Sequence, residues 1–301
     1  MLRLTESDVI RLLPMRDAVE CMRTCFQHLR AGEARNQPRR RLILPNHSTL
    51  HQLPGSVPGY FGIKVYSTNP RHGAFFTVLL YEEATGKPLA EIEANHLGQI
   101  RTGAVSGLAT DLLAPRQASS LGIIGSGFQA RTQLAAVAAV RSLEKIDVWS
   151  RSPEKCHSFV EWAAATLNLT VTVADTPEKA VAGKQIVVTA TFARDPVLDA
   201  AWIRQRPVLV NAMGSNYADR RELPPALVLS ADTLVIDDLE QGRMEAGDYV
   251  MALSAQEWQN VKPLASFSSG EPARGLTVFK SVGLGVEDIA AAALVYQRAH
   301  S

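Results

Sequence analysis

The sequence predicts an α/β chain, with a doubly wound parallel sheet joined to an α+β unit assembled from two separate stretches. Three observations predict it. From Ser120 onward, short apolar runs alternate with helical segments, the pattern of βα units in a parallel sheet. Before that, strand-like runs at 41–44, 49–53, 60–67 and 75–81 follow one another without a helix between them, as in an antiparallel meander. Between the two regions a glycine-rich turn, Gly125-Ser126-Gly127-Phe128-Gln129-Ala130, follows a strand and opens a helix.

Taken in order, Thr5 and Asp8 have the spacing of a capping box and start a helix that Pro14 interrupts. Residues 16–31 carry Ala18, Met22, Cys25 and Leu29 at helical spacing, and Gly32 is placed to stop that helix. The meander follows, with Thr85-Gly86-Lys87 turning its last long strand into 88–94. Residues 100–113 are rich in Ala, Gly and Leu and read as a helix. Ala114-Pro115-Arg116 then punctuates the chain. Strands are expected at 121–124, 145–150, 170–174, 185–189, 207–212 and 233–237, and helices at 128–140, 153–167 and 177–182. Residues 286–299 form a strong helix, with Glu287 and Asp288 in its first turn where negative charge suits the helix dipole. That helix is expected to pack back on the first unit. The expected domains are therefore 1–113 completed by 283–301, and 114–282.

The 301 residues exceed one ordinary domain. With 31 basic and 30 acidic residues the net charge is +1, which gives no basic excess for nucleic acid. No apolar run is long enough for a membrane span. Met1-Leu2-Arg3-Leu4-Thr5-Glu6 is acidic within six residues and lacks a signal-peptide core. Cys21, Cys25 and Cys156 cannot all pair and read as small core residues, so a cytoplasmic setting is expected. Few charges lie between Tyr60 and Leu80, leaving a sheet face apolar enough to predict a twofold dimer.

The glycine turn carries the clearest chemistry. It is G-x-G-x-x-A in the strand–turn–helix setting of a Rossmann dinucleotide site. Gly125 permits the tight turn, Gly127 leaves room for a pyrophosphate, and Ala130 allows close helix packing, while the helix N-terminus offers free N–H groups. The next strand ends Trp149-Ser150-Arg151-Ser152 without the carboxylate that holds an NAD ribose. Ser150 and Arg151 suit a 2′-phosphate, so NADPH is expected ahead of NADH. Lys64, in Gly62-Ile63-Lys64-Val65-Tyr66, is an unusual residue for an apolar strand. It is either an acid–base or carboxylate-binding group, or the outward side chain of an edge strand. One arginine of Arg39-Arg40-Arg41 can clamp a carboxylate. Arg101 and Thr102 start a small-residue helix where they can meet a cofactor. His72 and His96 are isolated and read as surface or structural residues, and no metal-ligand spacing occurs.

These segments together resemble the ornithine cyclodeaminase/μ-crystallin family. The carriers are Gly62-Ile63-Lys64-Val65, Ile100-Arg101-Thr102-Gly103-Ala104, Gly122 through Arg131, Val210-Asn211-Ala212-Met213-Gly214-Ser215-Asn216 and Phe279-Lys280-Ser281-Val282-Gly283. The resemblance implies a homodimer, with the discontinuous unit making the dimer contact and a substrate site lying between it and the Rossmann unit. It also implies Lys64 as the active-site lysine, Arg40 facing a substrate carboxylate, and Arg101 at the cofactor. Phe128 and Gln129 match the pyrophosphate turn, and Ser150, Arg151 and Ser152 the ribose end. Thr189, Thr191, Met213, Gly214, Ser215 and Ser281 are implied to line the rest of the cofactor. Asn216 stands where the family's cyclodeaminases carry an aspartate, and a neutral amide cannot take a proton near pH 7. The expected activity is therefore NADPH-dependent reduction of small cyclic ketimino acids such as pyrroline- or piperideine-2-carboxylate. A cyclodeaminase or alanine-dehydrogenase-type oxidoreductase, or a cofactor-bound binding protein like μ-crystallin, are the alternatives.

Overall fold

The structure is a computed structural model that describes residues 1–268 and 275–300. The chain divides into two compact units, Met1–Ala104 with Gly283–Ser301, and Val105–Val282.

The first unit is built on one sheet. Its strands are β1 (Leu2–Leu4), β2 (Arg35–Asn36), β3 (Arg40–Ile43), β4 (Thr49–Val57), β5 (Tyr60–Asn69), β6 (Gly73–Glu82) and β7 (Pro88–Glu93). Their order is β1-β7-β6-β5-β4-β2, with β3 also on β4. All pairings are antiparallel except β1 on β7. The helices are α1 (Glu6–Leu12), α2 (Met15–Ala31) and α3 (Asn95–Leu113), which runs on into the second unit. The Thr5–Asp8 capping box forms as expected, and Gly32 ends α2 at φ 73°. The last helix, called α10 below, is Gly285–Ala299 and packs on β4, β5 and α2.

Cross-strand register fixes which side chains share a face. Leu53, Lys64, Val78, Ile92 and Leu4 lie opposite one another in a row across five strands. Leu53, Val78 and Ile92 are fully buried, so Lys64 is the one polar member of an apolar row. In the adjacent row, Gly55 and Gly62 let α10 approach. A Cβ on Gly55 would stand 2.5 Å from the Val286 nitrogen. On the other side of the Lys64 row, Arg41, His51, Tyr66 and Phe76 are in register, and the rings of His51, Tyr66 and Phe76 stack in sequence. The opposite sheet face carries Phe61, Ile63, Val65, Leu79 and Tyr81, none of them buried.

The second unit is the doubly wound sheet the sequence predicts. Its elements are β8 (Ser120–Ile124), α4 (Phe128–Val140), β9 (Lys145–Trp149), α5 (Pro153–Leu167), β10 (Thr172–Val173), α6 (Pro177–Val181), β11 (Ile186–Thr189), β12 (Val208–Ala212), α7 (Pro225–Leu229), β13 (Thr233–Ile236), α8 (Leu239–Glu245), α9 (Gly247–Val250), β14 (Lys262–Pro263) and β15 (Leu276–Lys280). The strands are all parallel, in the order β10-β9-β8-β11-β12-β15-β13-β14. Winding runs outward from β8 to β10 and then reverses to β11 on the other side of β8. That switch point is where sheets of this class bind ligands.

The strands β1, β2, β14 and β15 are absent from the sequence reading. Strand β15 inserts between β12 and β13; as five residues without alternation it leaves no period-2 signal. The division between the two units falls inside α3, at Ala104. The later half of α3 belongs to the second core, because Thr110 accepts a hydrogen bond from the Asn211 side chain at 3.1 Å.

Candidate functional site

In the first unit, strand alternation decides which arginine of the Arg39-Arg40-Arg41 run joins Lys64. Arg40 pairs opposite Gln52, on the far face from Lys64, and is exposed. Arg39 is buried and donates to the Gly283 carbonyl at 2.9 Å, while Arg41 shares the register row of His51. Arg40 is thus replaced by Arg39 as the arginine beside the lysine.

The α10 helix brings two carboxylates to the same place. The Lys64 ammonium lies 2.6 Å from Asp288 Oδ2. Arg101 donates through Nε to Asp288 Oδ1 at 2.8 Å and through Nη1 to Glu287 Oε2 at 2.5 Å. Both carboxylates are completely buried. Arg101, expected at a cofactor, is therefore part of the lysine cluster. Thr102 turns its hydroxyl to the Gly98 carbonyl at 2.7 Å. The dipole-facing acids at the start of α10 were legible in the sequence as helix formers, but not as partners of residues nearly two hundred positions earlier.

The cluster is electropositive. Among the described residues, the buried cations Lys64, Arg101 and Arg39 stand against the buried carboxylates Glu287 and Asp288. Burial, and then the positive charge of Arg101, bring the Lys64 pKa down to about 7 against the pull of Asp288. Burial also works against the Arg101 charge, but Asp288 and Glu287 outweigh it and its pKa rises. His51 is driven down to about 3 by burial and by Arg41, Arg39 and Lys64, so it stays neutral at any working pH. The arrangement holds a proton that moves near neutrality and attracts an anion.

In the second unit, Gly125 sits at the end of β8 with φ 111°, and a Cβ there would collide with the Ala190 carbonyl of the neighbouring β11 loop. The requirement for glycine is thus both conformational and steric. Gly127 differs, because a Cβ built on it meets nothing within 4 Å. Open space above a glycine at the N-terminus of α4 is what a pyrophosphate needs. Phe128 is exposed there, and Gln129 has a buried side-chain oxygen without a hydrogen-bond partner. Ser126 and Ser150 share a hydrogen bond of 2.8 Å, which brings the ends of β8 and β9 together. Arg151 is exposed beyond that strand end. Ser152 caps α5 by accepting from the Lys155 nitrogen, a structural task.

The remaining predicted residues lie on the loops after β11, β12 and β15. Thr189 is fully buried and donates to Glu222 Oε2 at 2.8 Å. Thr191 donates to Glu222 Oε1 from both nitrogen and hydroxyl, each at 2.7 Å. The Gly214 nitrogen donates to Glu222 Oε2 at 2.7 Å. Met213 and Asn216 are half-buried, and Ser215 is buried. Ser281 donates to Asp237 at 3.0 Å. Glu222 was not visible to sequence reasoning; it sits in an aperiodic stretch with no motif to mark it. The expected structural reading of His96 is met by its 2.8 Å contact with Glu6.

Comparison with known proteins places this geometry. The ornithine cyclodeaminase/mu-crystallin family model matches residues 1–301. A Bacillus cereus protein named Delta(1)-pyrroline-2-carboxylate reductase is 32% identical over 316 aligned residues, covering 99% of this chain and 97% of that one. The Thermococcus litoralis Delta(1)-pyrroline-2-carboxylate reductase, solved in complex with NADH and L-proline, superposes with a TM-score of 0.92 at 31% identity, over 100% of this chain and 98% of its own. An archaeal alanine dehydrogenase dimer with bound NAD gives 0.92 at 27% identity, over 100% and 96%.

Proposed function

The chain belongs to the ornithine cyclodeaminase/mu-crystallin family, and from that premise we propose that it is an NAD(P)H-dependent reductase of small cyclic ketimino acids. Substrates of the pyrroline-2-carboxylate or piperideine-2-carboxylate type, reduced to proline or pipecolate, fit best. The observation that carries this reading is the buried, electropositive cluster around Lys64. A substrate carboxylate removed from water requires such a cation.

The dinucleotide fits the second unit, where the Gly127 position is left open and no side chain caps the N-terminus of α4, whose positive dipole end suits a phosphate. Gly125, Gly127, Phe128, Gln129 and Thr191 would hold it. Ser150 and Arg151 favour NADPH, since the strand end carries no carboxylate to hold both ribose hydroxyls. When bound, the cofactor supplies a hydride to the C=N carbon. The protein's own residues do the rest. Lys64 and Arg39 hold the carboxylate. Lys64, with a pKa of about 7, keeps the imine nitrogen protonated and its carbon electrophilic. Asp288 and Glu287 fix Arg101, and Asp288 orients the ammonium of Lys64.

Asn216 weighs against cyclodeamination. That reaction demands proton traffic around a departing amine, and an amide provides no base. Assembly as a homodimer through the uncovered sheet face of Phe61, Ile63 and Leu79 completes the proposal. The test is a panel assay in which NADPH and NADH oxidation with cyclic imino acids is set against ammonia release from ornithine. Rapid imine-dependent oxidation without ammonia supports the reading. Ammonia release with inert imines overturns it in favour of a cyclodeaminase, and tight dinucleotide binding without either turnover overturns it in favour of a binding protein.

A further inference from the structure

The reaction needs a dinucleotide held at the sheet's carboxyl edge, and the loops there have no secondary structure of their own to fix them. After β11 the chain passes through Ala190 and Thr191; after β12 it passes through Met213 and Gly214. One carboxylate joins them. Glu222 accepts from the Thr191 nitrogen, the Thr191 hydroxyl, the Thr189 hydroxyl and the Gly214 nitrogen. An ionised carboxylate has about four lone-pair sites, so this one is saturated by the two loops. Gly214 is required for the arrangement, because a Cβ there would collide with Thr191 and Glu222.

Glu222 is itself held from behind. Asp248 accepts from the nitrogens of Glu222 and Leu223 at 2.6 and 2.8 Å, and its other oxygen pairs with Lys280, at the end of β15, at 2.7 Å. Glu222, Asp248 and Lys280 are all completely buried. The Ala190 nitrogen in turn donates to the Ile124 carbonyl, and the Ala190 carbonyl packs against Gly125. The clamped loop is therefore the one lying against the glycine turn, at the switch point between β8 and β11.

We propose that Glu222 is a positioning residue for dinucleotide binding, acting through Thr191 and Gly214 to preset the loops beside the glycine turn. The proposal rests on reading the second unit as the dinucleotide site. In Glu222→Gln the amide keeps one accepting oxygen and turns an N–H₂ toward donors it cannot satisfy, so one loop comes free. The test measures NADPH and NADH affinity by fluorescence titration, with thermal unfolding of the unliganded protein and kcat at saturating cofactor alongside. Losing a hydrogen bond to a charged group corresponds to about a tenfold rise in Kd. That rise is expected for both cofactors, with kcat changed less than about twofold because no reacting group is touched. A lower unfolding temperature with Kd unchanged would make Glu222 merely structural and overturn the proposal. If the parent protein binds neither cofactor, the dinucleotide reading and this inference fall together; if the parent binds and the variant binds equally well, this inference alone falls. Should Glu222→Gln fail to fold, Thr189→Val decides. Thr189 is fully buried and its hydroxyl donates to Glu222, so a Kd rise of about threefold supports the clamp and an unchanged Kd rejects it.

Discussion

An ammonium set among Leu53, Val78 and Ile92 is tolerated because Asp288 lies 2.6 Å away. Replacing Lys64 by Met keeps the stem and removes the charge. Imine reduction is expected to fall by at least about a hundredfold, while NADPH affinity, measured by titration, stays near the parent value. With the Lys64 pKa at about 7, the protonated form is lost as pH rises, so kcat for imine reduction is expected to decline through pH 7 toward alkaline values. A flat profile from pH 6 to 9 would remove Lys64 from the proton transfer. At the other end of the cofactor, Arg151→Ala is expected to weaken NADPH about tenfold and NADH little; equal losses would show that Arg151 does not read the 2′-phosphate. Lysine and glycines were legible in the sequence because their surroundings make them anomalous. The choice among three consecutive arginines was not, since it depends on the register of β3 against β4, which a four-residue strand does not announce.

Helix α10 is the element on which the lysine cluster depends, and its seat is a pair of glycines. Gly55 on β4 faces the backbone of Val286, and a Cβ on Gly285 would press on the Leu53 and Pro54 carbonyls. Gly55→Ala is expected to push the helix outward, destabilising the protein by about 1–3 kcal/mol and reducing imine turnover through the displaced Asp288. Denaturant unfolding and kcat measure the two effects, and a variant of parental stability would show the contact to be slack. The sequence announced α10, α2, α4 and α5 to within a residue or two, since their periodicity and caps are local signals. It did not announce β1, β2, β14 or β15. Those strands have between two and five residues each, and they exist because a neighbour offers a ladder to complete.

At the scale of the whole chain, the sheet of the first unit has one face covered by helices and one left apolar. Phe61 stacks on Tyr81 at 5.3 Å on that open side, and Phe75 is 66% exposed. Sedimentation equilibrium at micromolar concentration is expected to show a dimer, and Ile63→Glu to convert it to monomer. A parent chain that sediments as a monomer would leave this face unexplained. The α/β class and the doubly wound sheet were readable from alternation alone. The Glu222–Asp248–Lys280 chain was not, because it joins a loop, α9 and β15 across distant stretches of sequence, and polar contacts at that range leave no periodicity behind.

Asp288 and Lys64 are neighbours in space but are translated far apart in time. At typical synthesis rates the stretch between the two parts of the first unit takes on the order of ten seconds or more to make. Throughout that interval the emerging β5 carries a lysine whose counter-ion does not yet exist, on a sheet whose covering helix has not been made. Val105–Val282, by contrast, is one contiguous stretch. Birth order and maturation order are therefore expected to be inverted, the later-made unit being able to close first and the earlier one being completed only when the ribosome delivers Gly285–Ala299.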